Sequence, residues 1–151
     1  MSTITAGIAY QFVRDQIAGV HNLETDTLKL ALYNTLCVLN RTTILTYTTT
    51  NECVGTGYVA GGNVVTVASV VYIVGSLPGL DFVDTLFSAI DLGNAVAAQA
   101  IQGGLLYNTS KSNKVIAVID FGPAIIVNGG NLTIEWPAAP TAATAFIRGL
   151  G

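Results

Sequence analysis

The side chains with which this sequence could carry out chemistry are one histidine, two cysteines and nine acidic residues. Nucleophilic catalysis requires a general base beside the nucleophile, and His21 is the one imidazole available for that role. It follows a helical pattern and precedes the polar residues Asn22 and Glu24. No second histidine is present to share a metal ion with it. The histidine therefore predicts neither nucleophilic nor metal-assisted catalysis.

The acidic residues offer two further possibilities. Asp120 lies between two apolar residues and is the best candidate for a shifted pKa or for one carboxylate of a glycosidase pair, although a turn or rim position is commoner. Asp81, Asp84 and Asp91 are three and seven positions apart, which does not match the ligand spacing of a calcium-binding EF-hand. We expect solvated turn carboxylates, with no metal, no cofactor and no enzymatic activity.

The two cysteines, Cys37 and Cys53, have no neighbouring histidine and no second cysteine pair, so the four ligands of a zinc site are not available. Buried free thiols are the favoured interpretation for a chain that folds in a reducing compartment. A disulfide between neighbouring strands remains open.

One segment, residues 46–65 (TYTTTNECVGTGYVAGGNVV), is rich in threonine and glycine. It contains Gly55, Gly57, Gly61 and Gly62. A phosphate-binding loop would end in Gly-Lys-Ser or Gly-Lys-Thr before a helix, and this segment has no lysine. We therefore expect an irregular loop in which the glycines permit turns with positive φ.

The composition is short of charge. Hydrophobic residues make up 51% of the chain and charged residues 10%, against about 25% charged residues in an ordinary soluble domain. A membrane span, a surface buried in an assembly, or a surface made polar by Thr, Asn and Gly would each explain the deficit. The longest apolar stretch, residues 64–80, is interrupted by Thr66, Gly75 and Pro78, and a span needs roughly 18–20 apolar residues. We expect no membrane association.

The distribution of charge and the N-terminal residues bear on nucleic-acid binding and on the compartment in which the chain folds. The net charge is −3 and the six basic residues are scattered, whereas nucleic-acid binding requires a clustered basic surface. We therefore expect no nucleic-acid partner. The N-terminus has no basic region followed by an apolar run and a cleavage site, so we expect the chain to fold in the cytoplasm.

One segment has the periodicity of a helix. Residues 4–20 place on one stripe the apolar side chains Ile8, Phe12, Val13, Ile17 and Val20. Ser2 or Thr3 is positioned to cap this helix, and Gly19 to end it. The stripe packs either on the domain's own sheet or against a partner, and the sequence leaves both open.

The other segments predict strands. Residues 103–122 (GGLLYNTSKSNKVIAVIDFG) predict a β-hairpin whose second strand, 115–121, is covered on both faces. Residues 27–34 alternate as a half-buried strand, and residues 63–74 predict one long strand. Further strands are expected at 42–47, at 80–89 with a break near Asp84, from 98 onward, at 123–127 before a turn at Gly129 and Gly130, at 131–136 and at 145–150.

Short strands with one N-terminal helix indicate a mainly β fold, an antiparallel β-sandwich or barrel-like single domain. We expect this domain to span residues 1–151. It divides into an N-terminal helix or arm (1–22), a β-sandwich core (23–137) and a C-terminal arm (138–151).

Six stretches occur in a characteristic order: LKLALYN (28–34), TYTTTNECVGTGYVAGGNVV (46–65), LDFVD (80–84), GGLLYN (103–108), VIAVIDFG (115–122) and NGGNLTIEWP (128–137). In this order they resemble a family of small virion structural proteins of tailed bacteriophages. The chain departs from the family pattern at Phe87, where a tryptophan is expected, and in the long alanine-rich tail after Pro137.

The resemblance implies a capsid cement or decoration protein, which binds the outer surface of the major capsid protein shell and stabilises it. Such a protein is assembled in the host cytoplasm, resides on the virion, and associates with its own copies as a trimer or dimer. The low charge and the apolar stripe agree with a subunit that buries much of its surface. The candidate interface residues are Ile8, Phe12, Ile17, Tyr58 and Phe146.

Two alternatives remain. One is a tail, neck or fibre-attachment component of the virion. The other is a carbohydrate-binding β-sandwich, which would need aromatic side chains on a concave face. The aromatic residues available for that face are Tyr47, Tyr58, Tyr72, Tyr107 and Trp136.

Overall fold

The structure, a computed structural model, describes residues 1–71, 79–137 and 147–148. Within them it contains one α-helix, α1 (Tyr10–Ile17), and short 3₁₀ helices at Ala97–Gln99 and Thr109–Lys111. The strands are β1 (Thr3–Thr5), β2 (Gly7–Ile8), β3 (Leu28–Asn34), β4 (Val38–Asn40), β5 (Asn63–Val65), β6 (Val67–Val71), β7 (Gly79–Phe82), β8 (Thr85–Leu92), β9 (Ile101–Asn108), β10 (Lys114–Ile125), β11 (Val127–Ile134) and β12 (Ile147–Arg148). The predicted mainly β fold with one N-terminal helix is confirmed.

The largest sheet has five strands in the order β2-β10-β9-β3-β5, and every neighbouring pair is antiparallel. Two further antiparallel sheets have the orders β11-β8 and β12-β7-β6, and β1 pairs with β4 in parallel. The chain leaves the large sheet at Ile125 and enters the β8-β11 sheet at Val127. Buried residues of these sheets form one hydrophobic cluster, as in a β-sandwich.

The hairpin predicted around residues 103–122 is the centre of the large sheet. β9 lies between β10 and β3, and β10 lies between β9 and β2. Residues 115–118 of β10 are buried, so the β-branched and apolar run is covered on both faces there. The coverage ends earlier than predicted, because Ile119 is half-buried and Asp120 is exposed.

The helix prediction was wrong at its N-terminal end. Residues 3–5 and 7–8 are extended as β1 and β2, and α1 begins only at Tyr10. The β-branched run from Thr3 to Thr5 favours a strand, and it pairs with β4 instead of capping a helix. The N-cap is Ala9, without a side-chain hydrogen bond. Gly19, with φ +69°, lies just past the helix and helps to end it as expected.

Several strand boundaries also differ from the predictions. The long strand expected at 63–74 is divided at Thr66 into β5 and β6, and its residues after 71 lie outside the described part. Residues 42–47 form no strand, and contribute a single bridge between Thr46 and Lys114. β9 begins at Ile101 and not at Ala98, because a 3₁₀ turn intervenes.

The turn expected at Gly129 and Gly130 is part of β11, because the chain changes direction at Ile126. The expected break in 80–89 is confirmed, since β7 ends at Phe82 and β8 starts at Thr85. Of the strand expected at 145–150, the structure describes β12 at residues 147–148.

Gly62 permits the closest backbone approach between the Thr/Gly-rich loop and the large sheet. Its φ is +69°, and a Cβ at this position would lie 1.8 Å from the carbonyl oxygen of Leu30 on β3. Gly129 has a similar φ of +60°, but a Cβ there would meet no atom within 4 Å. Replacing Gly129 by alanine would therefore cause backbone strain alone, whereas replacing Gly62 would cause backbone strain and a steric collision.

We predict that Gly129→Ala lowers the free energy of unfolding by about 1–2 kcal/mol, the cost of a left-handed backbone for alanine. Gly62→Ala should cost at least about 3 kcal/mol or prevent folding, because β3 would have to move. Urea unfolding followed by Trp136 fluorescence measures both. Equal losses in the two variants would contradict the close approach at Gly62.

Candidate functional site

The structure separates the residues predicted to form an interface. Phe12 is 3% exposed and packs in the core, with its ring centroid 5.1 Å from that of His21. Ile8 is half-buried on β2 and is not part of the helix. Ile17 is 86% exposed at the end of α1. Tyr58 is partly buried beneath its own loop, and Phe146 lies outside the described residues. The predicted stripe is therefore not one surface.

A different apolar surface lies on the solvent side of α1. Tyr10, Val13 and Ile17 are 55%, 41% and 86% exposed, and Arg14 is exposed beside them. Spacings of three, four and seven place these four residues on one side of the helix, opposite the buried Phe12 and Asp15. We call Tyr10, Val13, Arg14 and Ile17 the outer face of α1. It has the apolar character expected of a core-facing surface.

Positive charge borders this outer face. The Arg14 side chain is 72% exposed, and its guanidinium is 3.4 Å from the carboxylate of Asp15. The guanidinium carbon of Arg41 lies 5.3 Å from the ring centroid of Tyr10, within the range of a cation–π interaction. A surface of three apolar side chains with two guanidinium groups fits an apolar partner surface that carries acidic residues.

Large apolar side chains are also exposed on other parts of the described chain. They include Leu36, Val38, Leu45, Val54, Val59, Val64, Val83, Leu86, Val96 and Ile126. Single exposed apolar residues are ordinary on a protein surface. The outer face of α1 differs from them because three such residues lie together on one element.

Asp15 holds α1 on the large sheet. Its Oδ2 accepts hydrogen bonds of 2.8 Å from Lys114 Nζ and from Gln11 Nε2. The Asp15 side chain is almost fully buried, and Lys114 belongs to β10. The buried ion pair therefore fastens the helix to the central hairpin and leaves its apolar side outward.

A second carboxylate fixes the segment that follows the helix. Asp26 Oδ2 accepts hydrogen bonds from the backbone N–H of Asn22 (2.9 Å) and from Asn108 Nδ2 (2.7 Å). Lys111 Nζ lies 3.6 Å from Asp26 Oδ1. Asn108 Nδ2 also donates to Nδ1 of the buried His21, at 2.9 Å. We call Asp15, His21, Asp26, Asn108, Lys111 and Lys114 the polar cluster.

Both carboxylates of the polar cluster titrate below their ordinary range. Burial alone raises the pKa of Asp15, but hydrogen bonds from Lys114 and Gln11 and the charge of Lys114 outweigh it. Burial likewise raises the pKa of Asp26, and the hydrogen bonds from Asn108 and the backbone outweigh it, with Lys111 contributing. Their stabilisation is therefore present above about pH 4 and is lost as the pH falls through the folded-state pKa values.

A buried carboxylate, Glu52, joins three parts of the Thr/Gly-rich loop to one another. Its Oε2 accepts a 2.6 Å hydrogen bond from the hydroxyl of Tyr47. Its Oε1 accepts from the hydroxyl of Tyr58 (2.7 Å) and from the backbone N–H of Gly61 (2.6 Å). Among the described residues, the nitrogen–oxygen ion pairs within 4 Å do not include Glu52. Hydroxyl and amide dipoles stabilise this charge in place of a cation.

Further tyrosines connect the same loop to the sheet. The Tyr107 hydroxyl on β9 donates to the carbonyl of Gly61 at 2.7 Å, and the Tyr33 hydroxyl on β3 donates to the carbonyl of Thr48. The rings of Tyr47 and Tyr107 stack with centroids 4.7 Å apart. Burial, with the nearby charge of Glu52, raises the pKa of Tyr107 to about 12. Burial raises the pKa values of Tyr33, Tyr47 and Tyr58 as well. These hydroxyls act as hydrogen-bond donors.

The predicted chemical candidates remain apart. Among the described residues, no group of three or more His, Cys, Asp or Glu side chains is arranged to hold a metal ion. The suggested cage of Asp81, Asp84 and Asp91 is therefore not assembled. Asp84 accepts a hydrogen bond from the backbone of Trp136, whereas Asp120 is exposed and accepts one from the N–H of Gly122 at 2.9 Å. Asp120 lies within β10, paired with Gly103 of β9, so of the two expected placements the exposed rim position fits and the turn does not.

The cysteines are buried free thiols, as the favoured interpretation predicted. Burial raises the pKa of Cys37 to about 11 and that of Cys53 to about 12. Neither side chain is a thiolate at neutral pH, so neither is an activated nucleophile.

The aromatic residues suggested for a sugar platform are used internally. Tyr107 and Trp136 are buried, and the hydroxyls of Tyr47 and Tyr58 bond to Glu52. Tyr72 lies outside the described residues. The four described aromatic residues are engaged in the core and in the bonds to Glu52, so they lend the carbohydrate-binding alternative no support.

One shallow cleft of about 180 Å³ lies between residues 54–56 and 91–99. Its lining includes Val54, Asp91, Val96 and Gln99. Gln99 Oε1 accepts a hydrogen bond from the backbone N–H of Val54, so this amide is occupied in holding the loop. The cleft contains one carboxylate and no assembled acid–base pair.

No direct signal in the sequence marks the buried polar residues. Asp15 lies in the helical segment, but the periodicity there identifies only its apolar neighbours. Glu52 lies in a segment that reads as an irregular loop, and Asn108 ends a strand. Tyrosines on both sides of Glu52, at positions 47 and 58, were the available sign that this acid is enclosed.

Comparisons of the chain with protein-family models, with curated proteins and with solved structures found no match. Among the described residues, no helix has both the length and the apolar character needed to cross a bilayer.

We predict that Glu52→Ala lowers the free energy of unfolding by roughly 3 kcal/mol or more, because one buried and two partly buried donors lose their acceptor, at about 1–3 kcal/mol each. Glu24→Ala, at an exposed acid, is the control and should change stability by less than about 0.5 kcal/mol. Thermal and urea unfolding measure both. A loss at Glu52 no larger than that at Glu24 would contradict the role assigned to Glu52.

Proposed function

We propose that this protein is a capsid cement or decoration protein of a tailed bacteriophage, which binds the major capsid protein shell through the outer face of α1. The exposed apolar side of α1 is the observation that carries the proposal. The ordered sequence motifs that resemble small phage virion proteins supply the biological setting.

The outer face has the wrong polarity for an isolated subunit. A surface helix normally directs polar residues to solvent and its apolar stripe to the core. In α1 the buried side includes Asp15, and the solvent side has Tyr10, Val13 and Ile17. The Asp15–Lys114 ion pair keeps the helix in this orientation. Association with another protein removes the apolar side from water, which supports an interface function.

The role we propose is structural. Each copy bridges neighbouring shell subunits, and the added interface stabilises the assembled state because it binds that state and not dissociated subunits. The low proportion of charged residues suits a surface that is largely covered in the particle. The two guanidinium groups at the outer face favour acidic residues on the shell.

Copy number in the virion tests the proposed location of the protein. In purified virions that contain this chain, quantitative mass spectrometry with labelled peptide standards should find hundreds of copies, near parity with the major capsid protein. Roughly six to a few dozen copies would instead assign the protein to the tail, neck or fibres, since those structures have low symmetry numbers. Absence from virions would overturn the virion proposal.

A substitution on the outer face of α1 tests whether this surface binds the shell. Ile17→Asp should reduce binding of the purified protein to shells that lack it by at least about tenfold, because a charge enters an apolar contact. Its thermal unfolding should remain close to that of the unmodified protein, since Ile17 is exposed. Cosedimentation with shells measures binding.

Two variants serve as controls for that experiment. Ile126→Asp makes the same change at an exposed position where the chain passes between sheets, and it should bind normally. Phe12→Asp, in the core, should unfold the domain. Normal shell binding by Ile17→Asp, or an equal loss in Ile126→Asp, would contradict docking through α1.

A further inference from the structure

The one histidine of the chain is enclosed in the polar cluster. The His21 side chain is fully buried and its ring packs against Phe12. Nδ1 is 2.9 Å from Asn108 Nδ2. Nε2 has no hydrogen-bond partner in the described structure, and its nearest carboxylate oxygen, Asp15 Oδ2, is 3.8 Å away. A titratable ring is thus placed where α1, the following segment and the β9–β10 hairpin meet.

The hydrogen bonds of Asn108 determine which nitrogen of His21 carries the proton. The amide nitrogen of Asn108 faces the carboxylate of Asp26 at 2.7 Å, so the amide must present its N–H groups on that side. The same nitrogen faces His21 Nδ1, which must therefore accept a hydrogen bond. The neutral ring carries its hydrogen on Nε2, directed toward Asp15.

From this geometry we propose that His21 is a proton-operated latch, which holds α1 and residues 21–27 on the β9–β10 hairpin when neutral and loosens them in mild acid. Protonation adds a hydrogen to Nδ1, so that this nitrogen no longer accepts and two N–H donors face each other. Rotating the Asn108 amide by half a turn would satisfy the ring, but it would place the amide oxygen against the Asp26 carboxylate. No orientation of this amide satisfies both neighbours once the ring is charged.

The charged groups around the ring act in both directions. Asp15 on α1 and Asp26 after the helix favour the protonated ring, whereas Lys114 on β10 and Lys111 in the hairpin loop oppose it. Burial is the largest effect and disfavours the charged ring, so the pKa of His21 lies below its ordinary value near 6.5. Lys114 and Lys111, which pair with Asp15 and Asp26, offset part of the attraction that these carboxylates would exert on an imidazolium.

The direction of the pH effect follows from linkage. The unfolded chain binds a proton at His21 at higher pH than the folded chain does, so stability falls as the pH drops below about 6.5. The fall continues until the folded-state pKa is passed. The carboxylates Asp15 and Asp26 add their own loss only in stronger acid.

The latch affects the position of the outer face of α1, which is the binding surface in the proposed function. Its bonds hold the segment that follows α1, and Asp15 holds the helix itself. Under the proposed function, mild acid would therefore weaken shell binding by disturbing the outer face of α1. The test below uses the isolated full chain, so failure of the latch and failure of the shell proposal are distinguishable.

The experiment is an NMR titration of the single imidazole together with amide hydrogen exchange. We expect the His21 ring signal to titrate below the ordinary histidine pKa. Between about pH 7.5 and pH 5.5, a range in which histidine is the side chain that normally titrates, exchange corrected for intrinsic rates should accelerate in α1 (Tyr10–Ile17) and remain slow in β3 (Leu28–Asn34). The melting temperature should fall over the same range.

His21→Asn is the matched variant, because its amide oxygen is positioned to accept from Asn108 but does not titrate. Its melting temperature and α1 exchange should be independent of pH in this range. A wild-type imidazole pKa at or above the ordinary value overturns the latch, and this measurement requires no variant. Equal pH dependence in His21→Asn, or equal acceleration of exchange in α1 and β3, overturns it as well.

Discussion

Two buried carboxylates, Glu52 and Asp15, organise the segments that pack outside the strands of the five-stranded sheet. Glu52 gathers hydroxyl and amide donors from residues 47–61 and holds the Thr/Gly-rich loop together, while Tyr33 and Tyr107 bond this loop to the sheet. Asp15 draws α1 onto β10 through Lys114. Ala9 and Phe12 of the helical segment and Cys53 of the loop pack in the core, and the hydrogen bonds of the two carboxylates add to this packing. Both carboxylates have several hydrogen-bond donors, and such an arrangement is favoured because an alternative would leave a buried charge without partners.

The strands of the large sheet were predictable because the pattern of apolar residues in each strand indicates which of its faces are buried. The run at residues 115–118 is apolar on consecutive positions and is buried on both faces in the centre of the sheet. The segment 28–34 was expected to be half-buried, yet Ala31 and Tyr33 are buried too. The loop that Glu52 holds covers Tyr33, and alternation within one strand carries no information about a loop folded over it.

The failures at the N-terminus have a related cause. A helical stripe was traced from Ile8 to Val20, but Ile8 is in a strand and the ordered helix is eight residues long. Periodicity reports which residues would share a side of a helix, and it cannot tell the core from a partner surface. Here Phe12 faces the core while Val13 and Ile17 face outward. The side that faces inward is set by Phe12 together with the Asp15–Lys114 pair, whose partners are 99 positions apart in the chain.

That orientation has an energetic consequence for the proposed attachment to a shell. Burying an apolar side chain fully contributes roughly 1.5–3 kcal/mol, and Tyr10 and Val13 are already about half covered in the isolated subunit. Association costs roughly 4–15 kcal/mol in lost freedom of motion. The outer face of α1 is therefore too small to hold a copy on a shell by itself. Stable attachment requires further contacts from exposed apolar residues other than Ile126, or several linked copies that bind together and share the entropic cost. Without contacts beyond α1, the proposed attachment to the shell would require self-association of the chain, because a monomer bound through α1 alone would dissociate readily.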